Sequence, residues 1–263
     1  MKKLFFAGLL TLLLLPTLAM AQSPFDGTWR IDMNKIDFPK KPNVCLLDKG
    51  MYECKSCVPP IKVKADGTDQ AVTGHPYYDS VAIKVVNDHE MEETDKKNGK
   101  VVATSNSTVS SDGNTLMFTF SDSSNTNGAP VTGKGEATRV AKGPAGSNAI
   151  SGSWRTSKME GLSDNGITWT YKINGDELTM NSQTGQSYVA KLNGTDAPMK
   201  GDPGVTSVSV KMLGKDTLEE TDKRDGKVIG IFKMTVAADG KTAKAVFDDK
   251  QQKRTTEFVA TKQ

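Results

Sequence analysis

The stretch "EETDKKNGKV", Glu92–Val101, is spelled again as "EETDKRDGKV" at Glu219–Val228, 127 positions further along the chain. At that offset residues 67–122 and 194–249 align without a gap, with 23 identities in 56 positions. The matches include Gly67-Thr68-Asp69 with Gly194-Thr195-Asp196, Gly74 and Pro76 with Gly201 and Pro203, and Asp112-Gly113 with Asp239-Gly240. Upstream, "FDGTWR" (Phe25–Arg30) matches "ISGSWR" (Ile150–Arg155) at an offset of 125. Two long copies predict a pair of similar domains, because solenoid units are shorter and more numerous. The segment "AKGPAGSNA" (Ala141–Ala149) is small, poor in apolar residues and bears Gly, Pro and Ser, so it reads as a linker. The expected division is a first repeat over 22–143, a linker over 144–149 and a second repeat over 150–263.

The repeated ten residues contain a turn. Asn98-Gly99 and Asp225-Gly226 suit two-residue type I′ hairpins, in which both central residues need φ > 0. Asp112-Gly113, Asp239-Gly240 and Asn174-Gly175 carry the same signal. The flanking arms alternate: Val81, Ile83 and Val85 point one way, as do Leu116, Phe118 and Phe120, and Phe232, Met234 and Val236 alternate with Lys233 and Thr235. Period-2 patterning with one wet face predicts antiparallel sheet. A string of hairpins leaves unpaired edges unless the sheet closes on itself. The expectation is therefore all-β, with two tandem antiparallel up-and-down barrels of eight or nine strands each. The alternative is one larger barrel made from two half-barrel repeats.

Each copy opens with Gly-x-Trp, in "GTWR" and "GSWR". This resembles the lipocalin and wider calycin pattern, and the turn-rich repeat is similar to lipocalin-like exported bacterial proteins. The resemblance implies that Trp29 and Trp154 plug barrel floors beneath a basic residue from a last strand. The candidates are Arg139 in "EATRV" and Lys262 in "VATKQ", one ending each copy. Ligand binding is the activity the resemblance implies.

The segment "MKKLFFAGLLTLLLLPTLAMAQS" joins a charged start, an apolar run and a small-x-small site at Ala19-Met20-Ala21, which reads as a signal peptide over 1–21. The apolar run is too short for a membrane span. The chain is expected to be exported, with periplasm and external medium both open. It carries 34 basic and 31 acidic residues, interspersed, which argues against a nucleic-acid partner.

Export favours a disulfide among Cys45, Cys54 and Cys57. A hairpin turning at Lys49-Gly50 places Cys45 opposite Cys54, and that pair is the expected bridge, with Cys57 free or an alternative partner. Cys54 and Cys57 also form C-x-x-C, but without the βαβ context of a redox motif. Three Cys with His75 and His89 suggest no metal site, and no pattern calls for a cofactor.

"TGHPYYDS" offers His75, Tyr77 and Tyr78, where the second copy has Asp202, Gly204 and Val205. They mark either a loop covering the rim or a ligand mouth. "ITWTYKI" puts Trp169, Tyr171 and Ile173 on one strand face, as core or as the lining of a cavity. The acidic runs read as solvated hairpin arms. No G-x-S-x-G elbow or phosphate loop appears. The expected protein is a binder, not an enzyme, holding a small, partly apolar ligand in a barrel. The alternatives are a structural envelope module with filled barrels and a thiol oxidoreductase using Cys54 and Cys57. The sequence sets no oligomeric state.

Overall fold

The computed structural model describes residues 23–125 and 129–263, so the segment expected to be a signal peptide lies outside the described residues. Among the described residues the chain forms twenty strands. They are β1 (Gly27–Asp37), β2 (Asn43–Asp48), β3 (Met51–Cys54), β4 (Ile61–Lys64), β5 (Gln70–Ala71), β6 (Ser80–Asn87), β7 (Glu90–Lys97), β8 (Lys100–Val109), β9 (Thr115–Asp122) and β10 (Val131–Lys142). The second half adds β11 (Gly152–Glu160), β12 (Thr168–Asn174), β13 (Glu177–Ser182), β14 (Ser187–Lys191), β15 (Asn193–Pro198), β16 (Ser207–Met212), β17 (Thr217–Arg224), β18 (Lys227–Val236), β19 (Thr242–Asp249) and β20 (Arg254–Lys262).

They build two ten-stranded antiparallel sheets, each curled into a nearly closed barrel. In the first barrel an antiparallel bridge between Asp66 and Lys84 draws the end of β4 to β6; in the second a bridge between Ser187 and Lys200 ties β14 to the chain after β15. Closure removes the bare strand edges that would otherwise invite pairing with another chain. Two separate apolar cores fill them, one around Ile83, Met91 and Trp154, the other around Leu218, Met234 and Trp29.

The turns explain the register. Asn98-Gly99 and Asp225-Gly226 both have φ > 0 at each residue, as type I′ turns require, and so does Lys49-Gly50. At Asp112-Gly113 only the glycine is left-handed. There the loop is longer, and Asp112 Oδ1 accepts from the Ser110 hydroxyl and the Asn114 backbone N–H instead.

The sheets do not divide the chain where the repeat does. The first barrel runs in the order β4-β3-β2-β11-β10-β9-β8-β7-β6-β5, and the second β14-β13-β12-β1-β20-β19-β18-β17-β16-β15. The opening strand of each copy thus lies in the other copy's barrel. The cause is local. Residues 143–151, which include the linker expected over 144–149, form a compact loop in which Gly143 N–H donates to Ser151 C=O at 3.2 Å and Ser147 N–H to Pro144 C=O at 3.2 Å. It returns β11 alongside β10 as an antiparallel neighbour, and β1 takes the equivalent slot between β12 and β20. The barrels are joined by the crossings at 38–42 and 161–167.

The floors follow the same exchange. Trp29 stacks beneath Lys262, whose Nζ stands 4.9 Å from the ring centre, and Trp154 beneath Arg139, whose guanidinium carbon stands 3.9 Å away. Each basic residue that ends one copy therefore covers the tryptophan that opens the other. Both indoles are fully buried, a transfer contribution of about 4–6 kcal/mol each. Each indole N–H donates to a carbonyl four residues back, Trp29 to Phe25 at 2.7 Å and Trp154 to Ile150 at 2.8 Å. Arg139 also donates to the carbonyls of Gly113, Ser151 and Ala149. The glycine of Gly-x-Trp is required: Gly152 has φ 141°, and a Cβ there would collide with the Ala141 carbonyl oxygen.

The expected Cys45–Cys54 bridge is corrected. The two residues do face each other across β2 and β3, but the disulfide joins Cys54 to Cys57, whose Cα atoms are 5.5 Å apart. The turn after β3 carries Cys57 back to Cys54, while the Cys45 thiol turns away and donates to the Ile150 carbonyl at 3.3 Å.

Candidate functional site

The repeated "EETD" is the starting point. Along β17, Leu218 is fully buried, and period 2 forces Glu220 and Asp222 onto its inward face. Along β7, Met91 does the same for Glu93 and Asp95. The alternate residues Glu92 and Glu219 face outward and pair with Lys84 and Lys211, each at 2.9 Å. The acidic runs are therefore not merely solvated arms: each barrel carries an inward Glu-x-Asp pair.

Burial pushes all four carboxyls up. Glu93 rises to about 7 and Asp95 to about 8, Asp95 being raised further by the neighbouring charge of Glu93. Glu220 lies well above the ordinary carboxyl range because of burial and then Asp222, and Asp222 rises to about 6. The Tyr188 hydroxyl donates to Glu220 Oε2 at 2.5 Å. The two carboxyls are coupled, so the pair loses its protons in separate steps and keeps one of them well above the ordinary carboxyl range.

Above this pair the two barrels diverge. In the first, Tyr78 packs against the core beside Asp95 and Glu93 and stacks on His75, ring centres 4.8 Å apart. In the second, the aligned position is Val205, and the space a tyrosine would fill is open. A cavity of about 330 Å³ lies there. Its apolar wall includes Trp169, Phe232, Phe247 and Phe258, with Trp169 edge-on to Phe232 at 6.3 Å and to Tyr171 at 6.2 Å. Met180 and Met199 add adaptable thioether surface.

Among the described residues, three buried polar atoms of the wall find no hydrogen-bond partner: Trp169 Nε1, Asp222 Oδ1 and Asn125 Oδ1. Asn125 comes from the first barrel. Its side-chain Nδ2 donates to Asp202 Oδ2 at 2.8 Å, and its backbone carbonyl accepts from Gln186 Nε2 at 2.5 Å. Asp202 also accepts from the Tyr77 hydroxyl and from the backbone of Gly204 and Val205, so its charge is fully met. The rim of the second barrel is in this way roofed by side chains of the first.

Of the residues singled out in the sequence, Trp169 and Tyr171 line this cavity. His75, Tyr77 and Tyr78 do not: Tyr78 fills the first barrel and Tyr77 braces the rim of the second. Trp29, Arg139, Trp154 and Lys262 form the floors. Glu220, Asp222, Asn125 and the three phenylalanines were missed. The signal for the acidic pair was present, since Leu218 and Met91 fix which alternate residues turn inward. Asn125 had no such signal, because it acts across the two barrels.

Burial pushes the Cys45 thiol up to about 11, so it is protonated at neutral pH and is a poor nucleophile. Among the described residues no group of three or more His, Cys, Asp or Glu side chains is placed to hold a metal ion, and no helix is long and apolar enough to cross a membrane. No protein-family model matches the chain, and no curated protein matches it in sequence.

Proposed function

We propose that the protein is an exported binding protein that holds a small, partly apolar molecule in its second barrel, with the first barrel serving as scaffold and roof. The observation that carries this reading is the cavity at the mouth of the second barrel, whose volume of about 330 Å³ falls within the range of small-molecule sites. It combines an apolar aromatic wall with a few convergent polar atoms lacking partners, the usual division between affinity and orientation. Export rests on the charged, apolar and small-residue pattern of residues 1–21. A lipocalin-like kinship rests on the Gly-x-Trp floors, each capped by a cation. The reading is of a binder and not a catalyst: Glu220 and Tyr188 satisfy each other, and Cys54 and Cys57 are joined.

Native mass spectrometry of the protein taken from its own host tests this. A mass excess that disappears on denaturation, and is missing when Val205 is replaced by Tyr, is the expected result. A bare mass, together with no loss of Trp169 accessibility to quenchers across a ligand library, would point to two filled structural barrels instead.

A further inference from the structure

The second barrel's cavity holds an anion without a counterion. Among the described residues its wall contains no lysine, arginine or histidine. Asp202 is satisfied by four donors, but Asp222 Oδ1 is buried with none among the described residues. A buried unpaired carboxylate is costly, and the cost vanishes when a cation is supplied. Beside it stand the faces and edges of Trp169, Phe232 and Phe258, surfaces that attract organic cations. A hard metal ion would find one available carboxylate where calcium needs six to eight oxygens. We propose that the cavity takes a small organic monocation, an aryl- or alkylammonium, whose charged head pairs with Asp222 and whose apolar body lies against Trp169, Phe232 and Phe258. This rests on the reading of the second barrel as the binding site and adds the chemical class of its ligand.

The charge state fits one positive charge. Burial and the coupling of the two carboxyls hold one proton on the pair, so Glu220 and Asp222 together present a single negative charge. The groups facing Asp222 are Glu220 on its own strand, Asp202 from the loop before β16, Tyr171 on β12 and Tyr77 from the first barrel. None of these is cationic; Arg224, further along the same strand, acts on Tyr77, and its Nε–H donates to the Gly204 carbonyl at 2.7 Å rather than to Asp222. An ammonium that requires ionised Asp222 binds more weakly as pH falls through about 6.

The test uses three probes of matched shape on the full protein: 2-phenylethylammonium, 2-phenylethanol and 3-phenylpropanoate, followed by titration calorimetry near neutral pH. The expected result is that the ammonium binds roughly tenfold tighter than the alcohol, with the carboxylate weakest. Asp222→Asn is expected to erase the preference for the ammonium, bringing its affinity down to that of the alcohol. An ammonium that binds no better than the alcohol, or a preference that survives in Asp222→Asn, overturns the proposal. The comparison among probes on the unaltered protein holds even if that variant fails to fold. Binding of the alcohol or the carboxylate without preference for the ammonium leaves the barrel a binding site for another class of ligand. Binding of none of the three overturns the cation, while retained mass in the native protein still speaks for a binding site.

Discussion

The Tyr77 hydroxyl donates to Asp202 Oδ1 at 3.0 Å, joining the same loop of the two copies across the barrel contact. The alignment sets Tyr77 against Gly204 and His75 against Asp202. The difference is complementary, because the Tyr77 hydroxyl occupies the space a Cβ at Gly204 would need. One copy supplies the bulky donor, and the other supplies the acceptor and the room. This contact places the first barrel's side chains over the second barrel's mouth.

Tyr77→Phe removes one donor to a carboxylate that keeps three others. The expected cost is about 1 kcal/mol in chemical denaturation. Gly204→Val should cost more, since it displaces the ring altogether, and the pair Tyr77→Ala with Gly204→Val should be less damaging than the sum of the two single changes. Simple additivity in that cycle would mean the loops do not touch in solution.

Stability should fall as pH rises across the neutral range. Glu93, Asp95 and Asp222 hold their protons up to about 7, 8 and 6, and Glu220 holds its proton well above the ordinary range, all because of burial. A carboxyl with a raised folded pKa binds its proton more tightly folded than unfolded. Its contribution is complete below the unfolded carboxyl range near 4 and is lost as pH climbs through these folded values. Melting temperature is expected to be higher at about pH 5 than at about pH 8, and Glu93→Gln with Asp95→Asn should flatten the slope. A melting temperature that rises over the same interval would refute this.

Much of the fold is legible in the sequence. The Asn98-Gly99 and Asp225-Gly226 turns fix hairpins by themselves, because the backbone they need is one few other residue pairs tolerate. Leu116, Phe118 and Phe120 give their strand a face. The exchange of opening strands was not legible, because "GTWR" and "GSWR" are nearly the same strand and either fits either slot. Only the compact path of residues 143–151 decides between them. The cavity was half legible. Trp169 and Tyr171 announced an aromatic face, and the replacement of Tyr78 by Val205 was visible in the alignment. That this replacement empties one barrel follows only once both residues are known to point inward over an acidic pair. The disulfide was misassigned because strand register alone cannot tell which way a Cys45 thiol turns.

The exchange makes each barrel depend on a strand from the far end of the repeat. Residues 161–263 contain every strand of the second barrel except β1, leaving β12 and β20 with bare inner edges and Lys262 without its tryptophan. Such a fragment is expected to be unfolded or aggregated alone, and to gain a cooperative thermal transition when a peptide of residues 23–38 is added. A fragment that folds alone with native-like stability would show that β1 is dispensable.

Arg139 holds the floor of the first barrel by two means at once. Its guanidinium lies over Trp154, and its three nitrogens donate to the carbonyls of Gly113, Ser151 and Ala149, which lie in the β8–β9 loop and the β10–β11 loop. A lysine can keep the charge over the ring, as Lys262 does over Trp29, but has no planar fork to reach three carbonyls. Arg139→Lys is therefore expected to cost about 2 kcal/mol, the worth of one or two hydrogen bonds to a charged group, and Arg139→Ala more. Lys262→Arg in the second barrel, where Nζ makes one bond to the Pro24 carbonyl, should be far milder. Equilibrium denaturation of the three variants checks the order. If Arg139→Lys is as mild as Lys262→Arg, the ring contact alone holds the floor, and the carbonyl bonds add nothing.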